Sequence, residues 1–237
     1  MRLPWLVSDL HPHALSLTED ALGDDFAPAL VDDLADMNPP DIIERFRCVF
    51  PEGAATDVLM AAGFSAVRLT RLLDLNVTIA DHPALAADPP DHLAPHWFKS
   101  DERAPWKNWL AAHWRHYCAT HASNPPREPV RGVRTIFIGN DLVEGFALRD
   151  GPQGRVRAFG SLRNGNELGW MGGDPTLIAP TLAACLRHAT ALGWTKATLE
   201  VDDDDAALWA LADRLGVAPA QTFVTWQLER DPAKRPN

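Results

Sequence analysis

The densest set of side chains able to do chemistry lies in WKNWLAAHWRHYCATH, residues 106–121. It carries His113, His116, Cys118 and His121 among Trp106, Trp109, Trp114 and Tyr117. His113 and His116 are three apart, so a helix sets both on one face, and imidazoles beside a thiol are zinc-type ligands. No HExxH-type carboxylate accompanies them, and a tryptophan-rich stripe is core-forming, so no metal is expected here. Asp9-Leu10-His11-Pro12-His13 has the HxH spacing of metal-dependent hydrolases but no companion ligands at recognisable spacing. Asp202, Asp203, Asp204 and Asp205 read as caps and dipole complements of a helix start rather than as a cation site.

Helices and strands must position these groups. In the first part of the chain, 5–10 is a strand candidate. Residues 18–37 have a helical pattern, with Leu22, Phe26, Leu30 and Leu34 spaced by four, stopped by Pro39-Pro40. Residues 42–50 read as a strand, 53–62 as a short helix ended by Gly63, and 67–79 as a second strand. The Pro- and Asp-rich stretch 81–95 reads as a loop or boundary. A helix then runs to about His121, capped by Ser100 or Asp101, with Trp106, Leu110, Trp114 and Tyr117 along one stripe. Strands follow at 135–138, 142–148, 156–163 and 167–171. Asn164-Gly165-Asn166 is a hairpin signal between the last two. Helix 179–193, strand 195–201, helix 204–215 ended by Gly216, and strand 221–229 complete the chain. The helix after 167–171 should make that strand and 195–201 parallel neighbours.

Composition narrows the function. The 237 residues hold 32 Asp and Glu against 22 Lys and Arg, a net charge of −10 that argues against a phosphate-tracking nucleic-acid binder. Apolar residues make up 46% and charged residues 23%, an ordinary globular mix. No apolar run is long enough to span a membrane. Residues 1–10 carry one Arg and break at Pro4 and Asp9, unlike a signal peptide. Cys48, Cys118 and Cys185 form neither a disulfide framework nor a CxxC clip, so a reducing cytoplasm is the expected location.

An internal echo links the two parts. AAGFSAVRLTRLLDL (61–75) and RLGVAPAQTFVTWQL (214–228) each follow a short Ala/Leu helix ending in Gly and run on into a strand, Gly63 matching Gly216.

The stretch 191–217, with Gly193, Leu199-Glu200-Val201, Asp205 and Leu215-Gly216-Val217, resembles the closing half of the GNAT acetyltransferase superfamily. The resemblance covers 79–230 as a whole GNAT-like acyltransferase domain and 1–78 as a degenerate half-domain, with 231–237 as a tail. The implied fold is α/β (α+β): a mixed, mostly antiparallel sheet flanked by helices, preceded by a partial GNAT-like repeat. The implied co-substrate is acetyl-CoA, which donates an acetyl group to the amine of a small molecule or peptide. A homodimer is an open form of assembly, and neither nucleic acid nor membrane is an expected partner. By this resemblance Trp170, Met171, Gly172, Gly173, Thr176 and Asp205 line the coenzyme. His113, Trp114 and Tyr117 wall the acceptor, and Glu167 and Glu144 are the candidate bases.

Two departures stand out. The run Gly172-Gly173-Asp174-Pro175-Thr176 lacks the family's Arg and its helix-start glycines, so Asp174 would set a carboxylate near the phosphates. Ala212 stands where the family has a proton-donating Tyr. A GNAT-like binding or assembly module without catalysis is therefore the alternative.

Overall fold

A computed structural model describes residues 2–99, 106–128, 132, 134, 137–138, 141–151 and 154–230. In chain order the strands and helices are β1 (Leu6–Ser8), β2 (His11–Leu17), α1 (Phe26–Asp36), β3 (Arg45–Pro51), α2 (Thr56–Ala61), β4 (Ser65–Asn76), β5 (Leu93–Lys99) and α3 (Trp106–Thr120). They continue with β6 (Leu142–Asp150), β7 (Val156–Arg163), β8 (Glu167–Gly173), α4 (Ile178–Ala191), β9 (Lys196–Asp202), α5 (Ala206–Leu215) and β10 (Gln221–Glu229). Both units described below are mixed α/β, with sheets that are mostly antiparallel and flanked by helices.

The chain divides into two compact units, neither of them continuous in sequence. The first comprises Met1–Thr70, His121–Pro129 and Gln221–Asn237, and the second comprises Arg71–Thr120 and Val130–Ala220. The division falls inside β4.

In the first unit the strand order is β1-β2-β3-β10 and then the 65–70 part of β4. β2 runs parallel to β3, and β10 runs antiparallel to it over seven residues, with Trp226 opposite Cys48. Alternation sends Phe46, Cys48 and Phe50 inward with Val224 and Trp226, where they meet Phe26, Leu30 and Leu59 from the two helices. The helix expected over 18–37 is shorter. Residues 19–21 form only a 3-10 turn, and α1 begins at Phe26, beyond the break at Gly23. The strand expected at 5–10 becomes the hairpin β1–β2. Ala14 and Leu17, both fully buried, draw 11–17 into the sheet.

In the second unit the order is the 71–76 part of β4, then β9-β8-β7-β6-β5. The meander β5-β6-β7-β8 is antiparallel, and β8 and β9 are parallel, as the intervening helix requires. Gly165 (φ 79°) and Asn166 (φ 62°) take the left-handed backbone that the β7–β8 turn needs. The segment expected as a loop over 81–95 carries the start of β5, where Pro95 sits opposite Leu148. Proline is tolerated there because β5 is an edge strand. Of the strand expected at 135–138, Phe137 and Ile138 are described and are not extended. The Ile138 N–H donates to the Arg134 carbonyl at 3.0 Å, closing a helical turn. Ser100 and Asp101, the proposed caps of α3, lie outside the described residues.

Candidate functional site

Parallel strands normally stay paired along their length, but β8 and β9 do not. Their pairing is confined to Glu167 with Thr198 and Leu168 with Leu199. From Gly169 onward β8 remains paired with β7 alone, with an irregularity around Trp170. The facing edges of 169–173 and 200–202 therefore do not pair with each other, and the strands part there in a V-shaped cleft. Such an edge suits an extended, amide-bearing chain that can complete its hydrogen bonds.

Helix α3 covers one face of β7 and β8 beside this cleft. Its inner face is aromatic. His113 is fully buried, stacked on Phe137 (centroids 4.0 Å apart, 11° between planes) and close to Trp109, Phe159 and Trp170. Among the described residues neither of its ring nitrogens has a hydrogen-bond partner. Burial, reinforced by the positive fields of His116 and Arg163, holds its pKa well below the usual imidazole value. Tyr117 stacks on Trp170 at 4.9 Å, and Trp114 lies against Tyr117 and Phe137. The three residues assigned to an acceptor wall thus gather with Trp170.

His116, one turn beyond His113, lies flat on Gly172. A Cβ at Gly172 would come within 2.4–2.5 Å of the imidazole, so only glycine permits this approach. His116 Nε2 is 2.9 Å from Asp205 Oδ2, while Asp205 Oδ1 accepts from the Leu208 N–H at 3.1 Å and caps α5.

The two candidate bases are on opposite faces. Glu144 aligns with Leu162 and through it with Leu168, whereas Glu167 aligns with Arg163. Directly opposed residues share a face, so Glu167 shares one with Arg163, whose guanidinium donates to the Phe137 carbonyl and to Asp141, both at 2.7 Å. Glu144 instead meets His188 of α4, Oε2 to Nε2 at 2.6 Å, and His188 stacks on Trp97 at 3.9 Å.

Met171 is a core residue and presents only its backbone to the cleft. Gly173 presses on β7, and Thr176 is exposed at the start of the 3-10 turn Pro175–Leu177. The expected position of Asp174 beside phosphates takes another form here. Its Oδ1 accepts from the Thr176 N–H (3.1 Å) and hydroxyl (2.8 Å), and its Oδ2 accepts from Arg157 at 2.9 Å. Those bonds, led by the Thr176 hydroxyl, lower the Asp174 pKa. The Leu177 N–H donates to the Asp174 carbonyl. The N–H groups of Asp174, Thr176 and Leu177 are therefore already engaged, the first with the Arg157 carbonyl at 2.8 Å, and an incoming phosphate would have to compete for them. Ala212 is buried in the core, and Trp209 of the same helix packs under Arg71.

Residue type and spacing alone did not indicate His116 with Asp205, Arg157 with Asp174, Glu144 with His188, or the Phe137 and Phe159 walls. These pairs are far apart in sequence. The one local hint was that a two-histidine helix face must meet something.

No protein-family model and no curated protein matches the sequence. Solved structures do match. A GCN5-related N-acetyltransferase from Sphaerobacter thermophilus is 15% identical, with a TM-score of 0.60, covering 95% of this chain and 76% of that one. One from Kribbella flavida is 18% identical, with a TM-score of 0.57, covering 98% and 90%. A tandem GNAT protein from the clavulanic acid biosynthesis pathway is 13% identical, with a TM-score of 0.56, covering 87% and 69%. The sheet that splays after Leu168 and its flanking helices therefore have the GNAT fold.

Proposed function

We propose that the protein is a GNAT-type acyltransferase that passes an acetyl group from acetyl-CoA to the amine of a small molecule or peptide. The observation that carries this reading is the early parting of β8 and β9, which leaves two strand edges facing a cleft walled by an aromatic helix. The amide-bearing arm of acetyl-CoA would pair with the backbone of 170–172. Asp205 lies at the far side of the cleft and the acceptor beside α3. In the transfer, the amine nitrogen attacks the thioester carbonyl, the C–S bond breaks and the coenzyme leaves as its thiol. Glu167 is the better placed of the two carboxylates to take the amine proton, because it shares a face with Arg163 and the α3 side, while Glu144 is bonded to His188.

The net charge of −10 favours a cationic acceptor by long-range attraction. Among the described residues no helix is long and apolar enough to cross a membrane. Cys48 and Cys185 are free and buried, their thiols pushed up to about 12 by burial, which suits a reducing cytoplasm.

A second reading, a GNAT-like binding or assembly module, has its own support: Ala212 cannot donate a proton, and Thr176 and Leu177 already spend their N–H groups within the loop. A thermal-shift titration with acetyl-CoA, followed by thiol release with a panel of amines, separates the two. A ligand at 100 times its dissociation constant stabilises the fold by ~2.7 kcal/mol, which is readily seen. Binding with amine-dependent thiol release supports the enzyme. Binding without release, or no binding, supports the module.

A further inference from the structure

The cleft between β8 and β9 has its own occupant. The His116 imidazole reaches across it from α3, resting on the bare backbone of Gly172 in β8 and bonding at 2.9 Å to Asp205, three residues past the end of β9. The edges that the parted strands leave free are thus bridged by one side chain at the open end of the wedge. We propose that His116 is a gate: its imidazole, latched by Asp205, closes the cleft, and it swings aside when the amide-bearing arm of an acyl carrier enters. This rests on the acyltransferase reading.

Three features make the imidazole the moving part. Asp205 is fixed, because its other oxygen caps α5 through the Leu208 N–H. The α3 backbone is fixed by Trp109, His113 and Tyr117, which pack on β7 and β8, and by the indole N–H of Trp109 donating to the Phe146 carbonyl at 3.1 Å. His116 is the least buried member of this set, with 19% of its side chain accessible, so a rotation about its own torsions can carry it toward solvent without moving the helix. Gly172 completes the device, since any side chain there would displace the ring. The cost to an entering ligand is one hydrogen bond to a charged group.

The test is calorimetric titration of coenzyme A into the wild type, His116→Ala and Asp205→Asn. Asn keeps the cap of α5 but loses the charge that latches the imidazole. Both variants should bind about tenfold more tightly than the wild type, the size of one charge-assisted hydrogen bond. His116→Gln gives the same comparison should the alanine variant fail to fold. Equal affinity in all the proteins overturns the gate and leaves the acyltransferase reading standing. Weaker binding by the His116 variants also overturns it, because the imidazole would then be a ligand contact. No binding by any of them overturns the acyltransferase reading, and the gate with it.

Discussion

At the scale of single residues, the site is shaped by how each polar group finds its partner. Asp174 looks from its position like a charge opposed to phosphate, yet its oxygens are bound to Thr176 and Arg157. Asp174→Ala should therefore do two opposite things. It should lower stability by ~0.5–2 kcal/mol through loss of the cap, seen as a lower melting temperature. It should also tighten coenzyme binding a few-fold by freeing Arg157 and the Thr176 N–H, a gain that shrinks with added salt. Affinity that does not change would mean the loop never meets the phosphates. Glu167→Gln should lower kcat/KM by ~10²-fold or more near neutral pH, with recovery at high pH where the amine is already deprotonated; Glu144→Gln should leave that profile unchanged. The reverse ranking would place the base on the α4 face. His113 is buried neutral, and in the first unit His11 is pushed down to about 4 by burial and by His121, Arg47 and Arg68. Unfolded histidines titrate near ~6.5, so below that pH the unfolded chain takes up protons that these folded residues refuse. Stability should fall as pH falls from ~6.5 toward 4, with His113 contributing at most ~1.4 kcal/mol per pH unit. Urea midpoints at pH 7 and pH 5 should differ less in His113→Leu than in the wild type.

At the scale of elements, α3 is the piece that turns a sheet into a site. Its tryptophan-rich face is core, as its spacing indicated, and in the proposed function the same aromatic face walls the acceptor. Trp109, fully buried and bonded to the Phe146 carbonyl, is its anchor. Trp109→Ala should cost ~3–5 kcal/mol by urea unfolding, and a loss under ~1 kcal/mol would show that α3 is held by other contacts. The strands whose signal is local were legible: β7 and β8 about the Asn-Gly hairpin, and the closing β10. The ones that were not legible, β2 and the start of β5, contain His11, Pro12 and Pro95, residues whose strand character comes from sheet partners rather than from propensity. The segment around Phe137 failed in the other direction. Thr-Ile-Phe-Ile has high strand propensity, yet at Ile138 the chain closes a helical turn, and Arg163 holds the Phe137 carbonyl.

At the scale of the whole molecule, β10 belongs with the N-terminal strands. It pairs with β3 from Phe223 to Glu229 and supplies Val224 and Trp226 to the core of the first unit. A fragment of residues 1–78 should therefore fail to fold alone, showing no cooperative melt by circular dichroism, and adding a peptide of residues 218–230 should recover structure. A cooperatively folded 1–78 fragment would contradict this. The echo between 61–75 and 214–228 has a structural counterpart. Each stretch follows a short helix and enters a strand, and β4 lies beside β10 in one unit and beside β9 in the other. By itself the amino-acid sequence determined the class of fold and most of its elements. Periodicity, glycine stops and turn residues act over a few positions and leave a local trace. Only the tertiary structure decided which face Glu144 and Glu167 take, that Asp174 is neutralised by Arg157, and that His116 bridges to Asp205. Those outcomes depend on strand register and on contacts between residues 17–89 positions apart, and neither residue type nor spacing encodes them.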